Sequence, residues 1–394
     1  MSGRLSEGVS SVKRKEIVFV SVFVLLLAIL WFFPTGYEQQ IYINSSGVKA
    51  TVRSVNNSGV YTTGLLNQGD QRCEIEILSG AHKGEIVEGM NLLTGKLEVD
   101  KLYEVGDKVW TLIEQNSSGQ VIFANLIDYY RLDEQLILVG CFIFLLIMVS
   151  GFTGVRTLLS FAFALLSICK ILIPSLLRGW NPLFMALMVG NLLTIVTLLL
   201  VAGWTKKAYT AIASSMICSF LTCLLAVWFG RLFNIDGAVM DWSESLLYAG
   251  YQNLDLDGIF QAGIYLACSG AVLDLAIDIS AALEEVLKHH PTIKRTALIK
   301  SGLTIGKSVI GSQMTTLLLA YMGSYITILM VYLAQGTPLL SILNSQKISA
   351  EILHTFIGCM GLVLVSPLTA LICGVFYCPI SRKKQEELVM ELTQ

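Results

Sequence analysis

Charge is scarce in this sequence: 14% of its 394 residues are Asp, Glu, Lys or Arg, while 54% are hydrophobic. A soluble globular chain carries about 25% charge, so the surplus apolar surface must face lipid, in keeping with a mean hydropathy of +0.67. Lys and Arg number 27 against 29 Asp and Glu, a formal net charge of −2. No basic field is left to hold nucleic acid. Histidine is down to 4 residues, and the 9 cysteines include no CxxC and no Cys/His pair at ligand spacing. That excludes a disulfide framework and a structural zinc site. HExxH, P-loop and GxSxG motifs are missing, so no enzyme activity, catalytic residue, metal or cofactor is expected.

What is abundant is long apolar runs. About 20 such residues cross a hydrocarbon core of about 30 Å. Eight segments meet the requirement: Ile17 to Phe33, Leu136 to Phe152, Thr157 to Leu177, Pro182 to Ala202, Ala208 to Phe229, Gly258 to Ala282, Gln313 to Leu333 and Ile352 to Tyr377. Basic residues fix the orientation, because cytoplasmic loops retain them. With the N-terminus inside, the cytoplasmic side holds Arg4, Lys13, Arg14, Lys15, Arg156, Lys206, Lys207, Lys288, Lys294, Arg295, Lys300, Arg382, Lys383 and Lys384, while the short outer loops hold Arg178, Arg231 and Lys347. Both termini are therefore expected in the cytoplasm. The first run is longer than a cleavable signal's and ends in the interfacial residues Trp31, Phe32, Phe33 and Pro34, which reads as an uncleaved anchor.

Between the first two spans the composition turns polar. Strand-like runs at Lys49 to Val55, Arg72 to Leu78, Gly84 to Leu92, Lys108 to Glu114 and Gln120 to Tyr130 are separated by turn signals at Asn57-Ser58-Gly59, Asn67 to Asp70, Gly106-Asp107 and Asn116 to Gly119. Five short strands predict a small antiparallel, OB-like barrel outside the membrane. Its basic residues are scattered among acids without interleaved aromatics, so a structural or partner-docking role is favoured over oligomer binding. Cys73 is its only thiol.

The sixth span carries the one unusual face. At helical spacing Gly263, Ala267, Gly270, Ala271, Asp274 and Asp278 align; all are small or acidic. A central Asp costs about 2.5–3.5 kcal/mol and a Leu, Ile, Phe or Val returns only about 0.3–0.6. The span is marginal unless its acids face the protein interior. Three readings stay open: a cation or proton site, a structural clamp between helices, and a span that ends early with both acids in the cytoplasm. Lys307, at the inner approach to the seventh span, matches Asp278 in depth, whereas Lys170 lies deeper and can snorkel outward. Gly302 and Gly306 form a GxxxG pair, and Gln313, Thr316, Ala320 and Gly323 continue that face, which predicts a helix-packing seam. In the outer loop Asp236, Asp241, Glu244, Asp255 and Asp257 form an acidic set, a vestibule or merely the counterpart of inside-positive bias; Ile264 at the required Glu position excludes an EF-hand. His289 and His290 are expected in solvent, and His354 opens the last span without a partner at ligand spacing.

The run from Gly270 through Asp274 and Asp278 to Glu284 and Glu285, followed by Ser301-Gly302, Ile305-Gly306, Leu318 to Tyr321 and Gly323-Ser324, resembles the YibE/F-like family of bacterial membrane proteins. The resemblance covers about Gln135 to Cys378, and the anchor with the outer module resembles the longer, YibE-type members. It implies a bacterial plasma membrane and a pairing with a shorter YibF-type protein or with further copies of the chain. It implies no catalytic residue.

The expected architecture is thus an α-helical polytopic protein with eight spans: residues 1–16 cytoplasmic, 17–33 an anchor helix, 35–134 an extracytoplasmic β-rich domain, 135–378 a seven-helix membrane domain and 379–394 a cytoplasmic tail. Its expected function is that of a secondary transporter or permease component using Asp274, Asp278, Lys307 and Gln313. The alternative is an assembly or envelope scaffold whose outer domain docks a partner.

Overall fold

The computed structural model describes residues 20–37, 45–116 and 118–377. Arg4, Lys13, Arg14, Lys15, Ile17, Ser117, Cys378, Arg382, Lys383 and Lys384 lie outside the described residues. The chain divides into two compact units, Glu38–Val149 and a helical unit made of Met1–Tyr37 with Ser150–Gln394.

In the first unit, five strands, β1 (Ser45–Thr63), β2 (Leu66–Ile77), β3 (Ile86–Thr94), β4 (Lys108–Gln115) and β5 (Val121–Tyr129), close a barrel in the order β1-β2-β3-β5-β4. Alternation drives the closure: Val48, Ala50, Val52, Cys73, Ile75, Ile77, Val109, Ile113, Ala124 and Leu126 point inward and form one buried cluster. Two expectations are corrected. The barrel is not wholly antiparallel, because β3 and β5 pair in parallel. Two predicted turns also lie inside strands. The register between β1 and β2 shifts between Asn56 and Gly59, so a bulge absorbs the Asn57-Ser58 signal. Gly69, at φ +101°, leaves no Cβ where the Gly59 carbonyl oxygen passes within 2.1 Å of that position. Both strands therefore run on to a turn at Gly64-Leu65.

A buried amide pair pins the long β3–β4 connection. Gln71 donates to the Tyr103 carbonyl (2.8 Å) and accepts from the Tyr103 N–H (3.0 Å), while Asn91 donates to Gln71 (3.0 Å) and to the Lys101 carbonyl (2.6 Å). Each buried polar atom named here is answered, which is the condition for such a network to stabilise. Burial opposes ionisation of Asp128, but hydrogen bonds from Arg131 and Lys101 outweigh it and hold its carboxyl down at about 2. Burial alone pushes the Cys73 thiol up to about 11, so that cysteine is unreactive filler.

The helices are α1 (Val20–Trp31), α2 (Leu132–Ser167), a π-helical turn (Ile168–Leu172), α3 (Ile173–Leu177), α4 (Pro182–Ala202), α5 (Lys206–Phe233), a 3-10 turn (Gly237–Val239), α6 (Ser243–Tyr248), α7 (Leu256–His289), α8 (Arg295–Ala334), α9 (Leu339–Asn344) and α10 (Gln346–Tyr377). Among the described residues six stretches are long and apolar enough to cross a membrane, the first being the continuous Leu132–Leu177. That stretch contains two predicted spans. Gly151, at φ 55° and ψ −131°, is not helical and interrupts it at the end of the first of them. The core of the helical unit forms where α5, α7, α8 and α10 meet, around Cys218, Val272, Leu275, Ile279, Leu298, Leu362 and Val365. A second cluster joins Phe23 and Leu30 of α1 to Phe163, Val196 and Leu200.

Candidate functional site

Three of the acids expected in the loop before α7 hold backbone. Asp255 caps α7 by accepting from the Gly258 N–H (2.8 Å), Asp257 accepts from Gly237 N–H (2.6 Å), and Asp236 accepts from Ala238 N–H (2.8 Å). Asp241 pairs with Lys347 at 3.3 Å. Four of the five acids thus have local roles, three of them at helix starts, where carboxylates are favoured. They fix where α7 begins and hence which residues point inward.

α7 packs on α4, α5, α8 and α10. Its inward side buries Ala262, Ile264, Tyr265, Cys268, Val272, Leu275, Ala276, Ile279 and Leu283. Gly263, Ala267, Gly270, Asp274 and Asp278 are all exposed, while Ala271 is half-buried against the core. No atom would lie within 4 Å of a Cβ added at Gly263 or Gly270. The face predicted to turn inward is thus the open face of α7. The physical reason is that the other flank carries the larger apolar side chains, Ile264, Leu275, Ile279 and Leu283 among them, and takes the bundle core.

The seam on α8 divides. A Cβ at Gly302 would meet the Ala370 Cβ at 2.8 Å and Leu283 at 2.9 Å; at Gly306 it would meet the Ser366 side chain, with Ile279 at 3.5 Å. Gly302 and Gly306 therefore bring α8 against α7 and α10. Gln313 is half-buried, but Thr316 and Gly323 are exposed and Gly323 has nothing within 4 Å. Because Gly302 lies beside Leu283 and Gly306 beside Ile279, the two helices run antiparallel with Lys307 level with Asp278 and Gly311 level with Asp274. Lys307 is exposed too, and among the described residues no ion pair joins it to either aspartate. The α8 hydroxyls of Thr304, Ser308, Thr315 and Thr316 donate to carbonyls of their own helix, the usual solution in an apolar medium.

A second cluster was not anticipated. Glu351 in α10 is buried, 6% exposed, with its Oε2 3.9 Å from Nδ1 of His354 one turn on. The His354 ring lies 4.4 Å from that of Tyr321 in α8, and Tyr325, one turn further along α8, lines a cavity of about 360 Å³ together with Glu351 and Thr355. His354 thus faces a carboxylate and a tyrosine ring, which do not make up a metal-ligand set. Three atoms of this cluster, Glu351 Oε1, His354 Nε2 and Tyr321 Oη, are buried without a hydrogen-bond partner among the described residues. Each such atom costs about 1–3 kcal/mol. The sequence signal was present, Glu-x-x-His at one-turn spacing and Tyr-x-x-x-Tyr on α8, but α10 starts at Gln346, six residues before the hydropathy run at Ile352. Glu351 falls just outside that run.

The YibE/F-like family model matches residues 138–379. The chain belongs to the YibE/F-like family. The matched segment contains α7, α8 and α10 and so carries both polar clusters of the family domain. No curated protein and no solved structure matches the chain. Family membership and the apolar helices together mark a membrane protein.

Proposed function

We propose that this family member is an eight-span plasma-membrane protein, both termini cytoplasmic, that works as one subunit of a permease assembly. The observation that carries the reading is the open face of α7. Asp274 and Asp278 set against hydrocarbon would cost about 2.5–3.5 kcal/mol each near the midplane, so another protein surface has to cover them. Glycine and alanine on the same face let a second backbone come close. The cover is a second copy: Lys307 lies at the depth of Asp278 on an equally open face, so a two-fold axis along the bilayer normal brings each lysine to the other chain's aspartate. The acidic pair then lies at a subunit boundary, where it binds a coupling cation or proton.

Supporting the span number, Gly151 breaks the first long stretch just before Arg156, and α1 is packed against α4 residues. The test uses single cysteines in a cysteine-free background. A cysteine at Ala267 should give disulfide-linked dimers in native membranes; monomers alone would remove the second copy. For the purified assembly, Asp274→Asn should abolish ion-dependent thermal stabilisation. Wild-type melting indifferent to pH, sodium and potassium leaves the scaffold as the function.

A further inference from the structure

The Glu351 cluster has no role in the reading above, and it is built differently. Glu351 lies about 20 Å along the bundle from Asp274, because Gly358 of α10 sits beside Cys268 and Gly361 beside Val272, placing Glu351 thirteen residues outward at about 1.5 Å each. It is sealed, whereas Asp274 is open. We propose that Glu351 and His354, with Tyr321 and Tyr325, form a proton-binding site at the outer end of the helical unit.

Charge balance makes the case. The only lysine or arginine of α10 is Lys347, and it is engaged with Asp241. Among the described residues His354 is thus the sole basic group within ion-pair reach of Glu351. With one proton the pair is neutral, whichever of the two holds it. Uptake from water converts carboxylate to carboxylic acid, or imidazole to imidazolium paired with carboxylate; release returns the proton to water and leaves one uncompensated negative charge. A buried site favours the neutral state. The titratable groups that act on the cluster are Tyr321 and Tyr325 from α8, Cys268 from α7, Cys359 from α10 and Asp241 beyond the 3-10 turn. None is a cation. One histidine and one carboxylate fall short of a metal-ligand set, and no group of three His, Cys, Asp or Glu occurs among the described residues. The orphan atoms Glu351 Oε1, His354 Nε2 and Tyr321 Oη give an arriving proton both acceptors and a donor for relay.

The experiment is infrared difference spectroscopy of the full-length protein in lipid nanodiscs, stepped in pH, reading the carboxylic-acid C=O band. Wild type should show a titrating band that disappears in Glu351→Gln, persists in Asp274→Asn and moves its midpoint in His354→Gln. A band unchanged in Glu351→Gln overturns the site, as does its loss in Asp274→Asn alone. Should Glu351→Gln fail to accumulate, an unmoved midpoint in both His354→Gln and Tyr321→Phe overturns it equally. Because Asp274→Asn is scored separately, failure of this site is distinguishable from failure of the α7 reading.

Discussion

Replacing Gly302 by alanine separates the packed glycines from the open ones. The added methyl would sit 2.8 Å from the Ala370 Cβ, 3.2 Å from the Ala370 Cα and 2.9 Å from Leu283 Cδ1. Two of these atoms belong to a residue with no rotamer to change, so α8 and α10 must part. Overpacking of this kind costs about 1–3 kcal/mol. Alanine also gains about 1 kcal/mol of helix propensity over glycine, which masks part of the loss. Gly270→Ala supplies the control, since it gains the same propensity at a position with nothing within 4 Å. The difference between the two variants therefore isolates the clash, about 1–3 kcal/mol. Thermal unfolding of detergent-solubilised monomer should place Gly302→Ala several degrees below Gly270→Ala. Equal melting temperatures would refute the contact of α8 with α10 and, with it, the register that levels Lys307 with Asp278.

Three further outcomes are expected. In a cysteine-free background, cysteines at Ser58 and Glu244 should react with an impermeant thiol reagent on intact cells and one at Thr292 should not; labelling at Thr292 from outside reverses the topology. Residues 38–131, expressed alone, should give a soluble domain with β-type circular dichroism and a cooperative melt, because the barrel owns a closed core. That domain should lose stability in acid: a carboxyl held at about 2 against an ordinary 3.8 stabilises fully above about pH 4 and loses that contribution as the pH falls towards about 2. Asp128 is 35% exposed, so water screens the effect to about 1 kcal/mol, and Asp128→Asn should be less stable at neutral pH yet flatter across that window.

The helices and strands were legible because burial imposes a period, and period survives in one dimension. Lys108 to Glu114 was predicted and Lys108–Gln115 is observed; of the predicted α7 stripe, Gly263, Ala267, Gly270, Asp274 and Asp278 do share one exposed face, while Ala271 packs against the core. The stripe's direction was not legible, because a stripe identifies a face of a helix and not the neighbour it meets. Hydropathy counts a charge against a span without asking what seals it. Asp274 and Asp278 are conspicuous inside a long apolar run, whereas Glu351 falls just before the run that begins at Ile352 and was not singled out. The structure reverses their environments, and α8 is the cause in both cases. Where α8 carries Tyr321 and Tyr325, aromatic bulk helps close α10 around Glu351 and His354. Along its N-terminal half Gly302 and Gly306 draw it onto Ser366 and Ala370 instead, and Lys307 and Gly311 are left open level with Asp278 and Asp274. A single helix thus seals one carboxylate and leaves two uncovered, and only its neighbours' positions in space decide which.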